Sequence, residues 1–179
     1  IRAEEEPYIL NVPVAAQGLP FVETFEGAKN AISLYDIGWS EHSEGFRAYP
    51  WEISSSRANS GDWSVGHQAG GQKTDPLIDW LISPALNLTG EDLIQVSWYE
   101  YGENSELANH TLHISTGSPD PADGEFTQAS TLGQAKDNEW GRSKIIDVSD
   151  YSGSDVVYFA WRYEGQFSDA WYISYTKFL

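Results

Sequence analysis

Residues 155–164 read Asp-Val-Val-Tyr-Phe-Ala-Trp-Arg-Tyr-Glu, and this run limits the fold more than any other stretch of the chain. With side chains alternating across a strand, Val157, Phe159, Trp161 and Tyr163 fall on one face, and Val156, Tyr158, Ala160 and Arg162 on the other. The stretch from Leu93 to Tyr101 sorts the same way, with Ile94, Val96 and Trp98 set against Gln95, Ser97 and Tyr99. Further strands are predicted at 63–66, 80–82, 111–115, 144–148 and 170–178. Turn chemistry separates them: Ser83-Pro84, Thr89-Gly90, Thr116-Gly117-Ser118-Pro119, Asp123-Gly124 and Ser152-Gly153. The best helical candidate, Ala28 to Leu34, is too short to define a fold. Many short strands with polar turns predict an all-β protein, a jelly-roll β-sandwich of two antiparallel sheets. With 8 Trp and 10 Tyr among 179 residues, its core is expected to be thick with aromatic rings.

Residues 1–18, with Glu4-Glu5-Glu6, Pro7, Pro13 and Gly18, read as a linker or edge segment, and residues 19–179 as a single domain. The absence of an initiating Met and of a leader suggests an excised or processed piece of a longer protein. No apolar run is long enough for membrane insertion. The formal charge of -17 argues against nucleic acid and anionic membranes as partners. It has two readings: solubility of a secreted domain, or carboxylates gathered on a calcium ion. The lack of cysteine removes disulfides, thiol nucleophiles and cysteine-ligated zinc.

Catalytic signatures are scarce. No Gly-x-Ser-x-Gly elbow, HExxH, P-loop or Gly-x-Gly-x-x-Gly occurs. His42 and His67 lie in polar, turn-rich stretches. His110 and His113, three apart on a predicted strand, point to opposite faces and do not make a zinc site. Paired carboxylates, the minimal equipment of a glycan hydrolase, are expected here by chance. The loop from Asp120 to Glu125 lacks the ligand spacing of an EF-hand and reads as a hairpin loop.

Several segments, in order, resemble the cleaved-adhesin and choice-of-anchor J domains of secreted bacterial proteins, and more distantly the MAM domains. They are Leu19-Pro-Phe-Val-Glu-Thr-Phe-Glu26, Trp51, Ser60-Gly-Asp-Trp-Ser-Val65, Asp79-Trp-Leu-Ile-Ser-Pro-Ala-Leu-Asn-Leu-Thr-Gly90 and Trp98. Leu112-His-Ile-Ser-Thr-Gly117, Asp120-Pro-Ala-Asp123, Trp140, Asp147-Val-Ser-Asp-Tyr-Ser-Gly153, Val157 to Tyr163 and Trp171-Tyr-Ile173 continue the series. The resemblance implies a non-catalytic, MAM-like jelly roll for adhesion or carbohydrate binding within a larger secreted or cell-surface protein. It also implies calcium. Glu26 matches one acidic position of that family, and Asn109 stands roughly where a second is expected. Ser174 and Tyr175 replace its closing pair of aspartates, with Asp62 or Asp169 as substitute ligands.

A glycan site needs exposed aromatic platforms flanked by polar hydrogen-bonding groups. Trp98, Phe159 and Trp161 are assigned to the core by their periodicity. Trp39, Tyr49, Trp51, Phe167 and Trp171 are the ligand-binding candidates, with Arg47, Arg57 and Asp169 beside them; Trp51 and Trp171 fit a core role equally well. Tyr175 either fills a vacated metal pocket or projects as a stacking group. The expected partners are a glycan or surface protein and other domains of the same polypeptide. Alternatives are a spacer packed on a neighbouring catalytic domain and, last, a hydrolase.

Overall fold

The alternating segments pair so that apolar faces stay together. In the computed structural model, which describes residues 15–31, 33–44, 50–68, 77–104, 108–133, 135–165 and 170–179, they build two facing sheets. The strands are β1 (Gln17–Gly18), β2 (Phe21–Glu23), β3 (Ser40–Glu44), β4 (Glu52–Ser54), β5 (Ser64–Gln68), β6 (Leu77–Ile82) and β7 (Leu86–Asn87). They continue as β8 (Gln95–Glu103), β9 (Ala108–Ser115), β10 (Thr127–Thr131), β11 (Trp140–Arg142), β12 (Ile146–Asp147), β13 (Tyr158–Gly165) and β14 (Ala170–Phe178). One sheet runs β10-β9-β13-β6-β3. The other runs β11-β8-β14-β5-β4, with β12 on β8 and β2 on β14. Among the described residues these ladders are antiparallel, and only β1 runs parallel to its partner, β7.

The all-β sandwich is therefore as predicted, and β14 covers 170–178 as expected. The helical candidate becomes two 3₁₀ segments, Glu26–Asn30 and Leu34–Ile37. Expected strand 144–148 shortens to Ile146–Asp147. The predicted hairpin loop at 120–125 joins antiparallel β9 and β10 through a 3₁₀ turn, with the Asp120 carboxylate accepting the Ala122 N–H at 2.9 Å. Of the lead-in, the described part adds β1 to the fold by pairing Gln17 with Leu86.

Val157, Phe159, Trp161 and Tyr163 are fully buried, facing Trp98, Ile173 and Phe178 of the opposite sheet. Trp98 and Trp161 meet edge to face at 5.4 Å, and Phe159 and Phe178 pack tilted at 4.7 Å. Such pairs add about 0.5–1.5 kcal/mol each beyond their burial. On the outer face, Gly66 is fixed by close approach: a Cβ there would lie 2.5 Å from the Tyr172 ring that crosses it.

One layer of the interior is polar. Ser43, Asp79, Tyr163 and His110 form a row across the five-stranded sheet, opposite His67 and Trp171. His67 Nε2 and the Asp79 carboxylate share a 2.7 Å hydrogen bond, and His67 stacks on Tyr163 at 4.1 Å. His67 is thus a core residue, not the loop residue its sequence surroundings suggest. His110 lies flat on Trp171 at 3.8 Å, while His113 faces outward against Trp80, so the two rings do point to opposite faces. Glu100 accepts the indole N–H groups of Trp98 and Trp171 at 3.0 and 3.2 Å. Burial raises its carboxyl above the ordinary value, and the two indole bonds oppose that rise.

Burial, with a smaller contribution from His67, pushes His110 down to about 3, and burial beside Arg162 pushes His113 to about 4. A group with a depressed folded value stabilises the fold fully above its ordinary pKa, here 6.5, and loses that contribution on acidification. Glu100 has the opposite sign, since its upward shift favours the fold at low pH and costs stability as pH rises. The melting temperature should therefore fall as pH drops from 6.5 to 4.5, with His110 accounting for about 2–3 kcal/mol. His110→Phe, which keeps the stacking ring and removes the titration, should flatten that profile in calorimetric scans.

Candidate functional site

β3 and β4 are the outermost strands of their two sheets and lie at the same side of the sandwich. Between them runs a groove of about 450 Å³, and a depression of about 260 Å³ continues it past Tyr35 and Glu41, which line both. Tyr35 is 64% exposed, which leaves a large aromatic side chain open to solvent at the groove. Its position follows from the 3₁₀ segment Leu34–Ile37. With three residues per turn, Leu34 and Ile37 share the inward side and Tyr35 is turned out. The Asp36 carboxylate, accepting the Ser33 N–H at 2.9 Å, caps the segment.

The opposite wall is Trp63, half-buried at the start of β5, with Trp51 at the floor. The Trp63 loop is held by Glu26, whose Oε1 accepts the backbone N–H groups of Asp62 and Trp63, each at 3.0 Å. Gly61 makes this possible: it has φ +75, and a Cβ would lie 2.4 Å from the Glu26 carboxyl carbon. Glu41, Glu52 and Ser33 supply the polar rim, and no Lys or Arg among the described residues lines either depression. The arrangement offers two apolar ring surfaces beside carboxylate acceptors, which suits a polyol that stacks one face and donates hydroxyls from its edge.

The residues nominated from sequence are distributed differently from expectation. Trp39 is fully buried, its ring 5.2 Å from Phe25 and 5.6 Å from Trp161, and its Nε1–H donates to Glu23 at 3.2 Å. Trp171 is fully buried between His110 and Trp51. Both are core anchors, not exposed platforms. Trp51, 2% exposed, packs edge to face on Trp171 at 5.2 Å and reaches the ligand space only as the groove floor. Arg57 pairs with Glu103 and lies 4.5 Å over the Tyr101 ring on the outer face of the seven-stranded sheet. Tyr175 is on that outer face too, with its ring 6.3 Å from Tyr99. Arg47, Tyr49, Phe167 and Asp169 lie outside the described residues.

For calcium, the described candidates do not assemble a fitting set. Glu26 and Asp62 are in contact, but one oxygen of Glu26 is committed to two backbone N–H groups. Asn109 sits on β9 opposite Glu164, in the other sheet. Among the described residues no three Asp, Glu or His side chains gather as a cation would require. Tyr35 escaped the sequence reading because its exposure comes from the 3₁₀ turn, a local geometry that the short, mixed stretch Ser33-Leu34-Tyr35-Asp36 does not announce.

The sequence matches no protein-family model and no curated protein. Solved structures resemble its fold. The K2 cleaved adhesin domain of Lys-gingipain (Kgp) is similar over 89% of this chain and 98% of its own, with a TM-score of 0.66 and 16% identity. TmCBM61, solved in complex with β-1,4-galactotriose, is similar over 87% of this chain and 93% of its own, with a TM-score of 0.57 and 13% identity. The CBM22-1 xylan-binding domain of Paenibacillus barcinonensis Xyn10C covers 92% and 96%, with a TM-score of 0.55 and 12% identity. At such identities the likeness is one of fold.

Glu26→Ala removes the acceptor for two N–H groups and is expected to lower stability by about 1–2 kcal/mol. The same change should red-shift the Trp63 emission as its loop loosens, a change readable in the difference between wild-type and Glu26→Ala fluorescence spectra.

Proposed function

We propose that this chain is a non-catalytic glycan-binding module, of the adhesin and carbohydrate-binding-module kind, within a larger secreted or surface-attached protein. The observation that carries this reading is the edge groove, where exposed Tyr35 faces a carboxylate-rimmed depression with Trp63 across it. A neutral sugar ring has an apolar face for Tyr35 or Trp63 and equatorial hydroxyls for Glu41 and Glu52. The paired depressions on either side of Tyr35 give room for successive sugar units, so an oligosaccharide fits better than a single ring. Support also comes from the fold, which is shared with a module holding β-1,4-galactotriose and with a xylan-binding domain.

Two polar clusters of the described residues lie away from the groove. The buried pair His67 with Asp79 is enclosed at 0% and 4% side-chain exposure. Glu100 is committed to two indoles in the interior. Neither reaches a ligand in the groove.

Calorimetric titration with neutral β-linked galacto- and xylo-oligosaccharides tests the reading. Binding is expected without release of new reducing ends. Tyr35→Ala and Trp63→Ala should each weaken it by about tenfold or more, roughly 1.4 kcal/mol, with an unchanged circular-dichroism spectrum. Silence towards every neutral glycan, or full affinity in both variants, would overturn it.

A further inference from the structure

The outer face of the seven-stranded sheet holds a second pocket, of about 180 Å³, chemically unlike the edge groove. Tyr99 of β8 stands directly opposite Arg142 of β11 and Ser174 of β14. The β14 register then breaks between Ser174 and Lys177. Within that irregularity Tyr175 takes φ 43, a left-handed conformation uncommon for a bulky residue. The consequence is that two tyrosine rings, 6.3 Å apart and near perpendicular, wall one pocket together with Arg142 and Lys177. Arg142 is steadied by its Nη2–H donating to Ser97 Oγ at 3.4 Å, and Lys177 pairs in register with Ser97.

The charge pattern is the informative part. The chain has 27 acidic residues against 10 Lys and Arg, so carboxylates far outnumber the cations that could pair with them. Arg57, Lys136 and Arg162 each have one, Glu103, Glu139 and Glu164, while Lys144 donates to the Thr131 carbonyl and Lys29 stands on the 3₁₀ segment Glu26–Asn30, away from any other cation's pocket. Among the described residues no carboxylate pairs with Arg142 or Lys177, although they line one small pocket. Two unpaired cations beside two tyrosines, at a strained backbone position, form an anion-plus-ring site on an otherwise acidic protein.

We propose that this pocket binds an acidic sugar residue, a uronate or a sulfated pyranose. Arg142 and Lys177 hold the anionic group, and Tyr99 and Tyr175 flank the ring. The site is separate from the edge groove and takes the opposite ligand charge, so its existence does not depend on neutral-glycan binding there.

The probes are tri-galacturonate, its methyl ester, a 6-sulfated N-acetylglucosamine and inorganic sulfate, titrated against the whole chain by calorimetry or protein NMR. Tri-galacturonate or the sulfated sugar should bind, the stronger of the two identifying the anion, with affinity falling as salt rises. The uncharged ester should bind at least tenfold more weakly than the acid. The double variant Arg142→Gln, Lys177→Gln should lose about tenfold or more for the acidic probe, and Tyr35→Ala should lose nothing. Tyr175→Gly relieves the left-handed strain and should weaken acidic-sugar binding about tenfold without lowering the melting temperature. Ester binding equal to acid binding, an unaffected double variant, inorganic sulfate bound as tightly as any sugar, or no response to any probe at about 10 mM would each overturn the proposal.

Discussion

Tryptophan N–H groups ending on carboxylates organise this sandwich. An indole buried for its area still carries one donor, and leaving it unpaired in the interior costs about 1–3 kcal/mol. Glu23 takes the Trp39 donor, Glu100 those of Trp98 and Trp171, and Glu44 that of Trp80 on the outer face at 2.8 Å. Each bond fixes the rotation of a ring about its long axis. That fixes the neighbours too: Trp39 sets Phe25 and Trp161, and Trp171 sets Trp51 and His110. The acidity of the chain is therefore partly an internal matter. Some of its carboxylates are structural acceptors, a use distinct from solubility or metal binding.

The same device extends to the rim. Glu23 also accepts the Phe25 N–H at 2.6 Å, holding that residue at φ 62 just before the 3₁₀ segment that starts at Glu26. Glu26 in turn pins the backbone at Asp62 and Trp63. A short relay of two acids, three residues apart, thus connects the core tryptophan Trp39 to the groove tryptophan Trp63. The groove wall is consequently set by bonds rather than left to a free loop, which lowers the entropy a ligand must overcome to order it.

The fold was legible because period-two alternation is written directly into the strands that carry the core. Val157 to Tyr163 and Ile94 to Trp98 announce their buried faces without any knowledge of partners. The site was less legible, for a physical reason. A tryptophan in a polar, turn-rich stretch looks exposed, yet Trp39 and Trp171 are drawn inside by carboxylates and rings distant in sequence. Polar surroundings in the chain do not predict polar surroundings in space once Glu23 and Glu100 supply acceptors. His67 follows the same rule, its burial made tolerable by Asp79 twelve residues on. Tyr175 is the converse case. Its replacement of an expected carboxylate was visible, but the bulge that turns its ring towards Tyr99 arises only from the ladder with β8.

These two kinds of misreading share one cause, the small number of cations. In a chain with 27 acids, a carboxylate cannot rely on Lys or Arg for a partner, and indole N–H, imidazole and backbone N–H groups become the available donors. That draws aromatic residues to acids in the interior and places Glu41 and Glu52 along the edge groove. It also makes any cation that remains unpaired conspicuous. Arg142 and Lys177 stand apart from Lys29 and Lys144, which also lack a carboxylate among the described residues, because they line one pocket: where acceptors are in excess, two neighbouring donors with no carboxylate between them leave room for an anion that the chain itself does not provide.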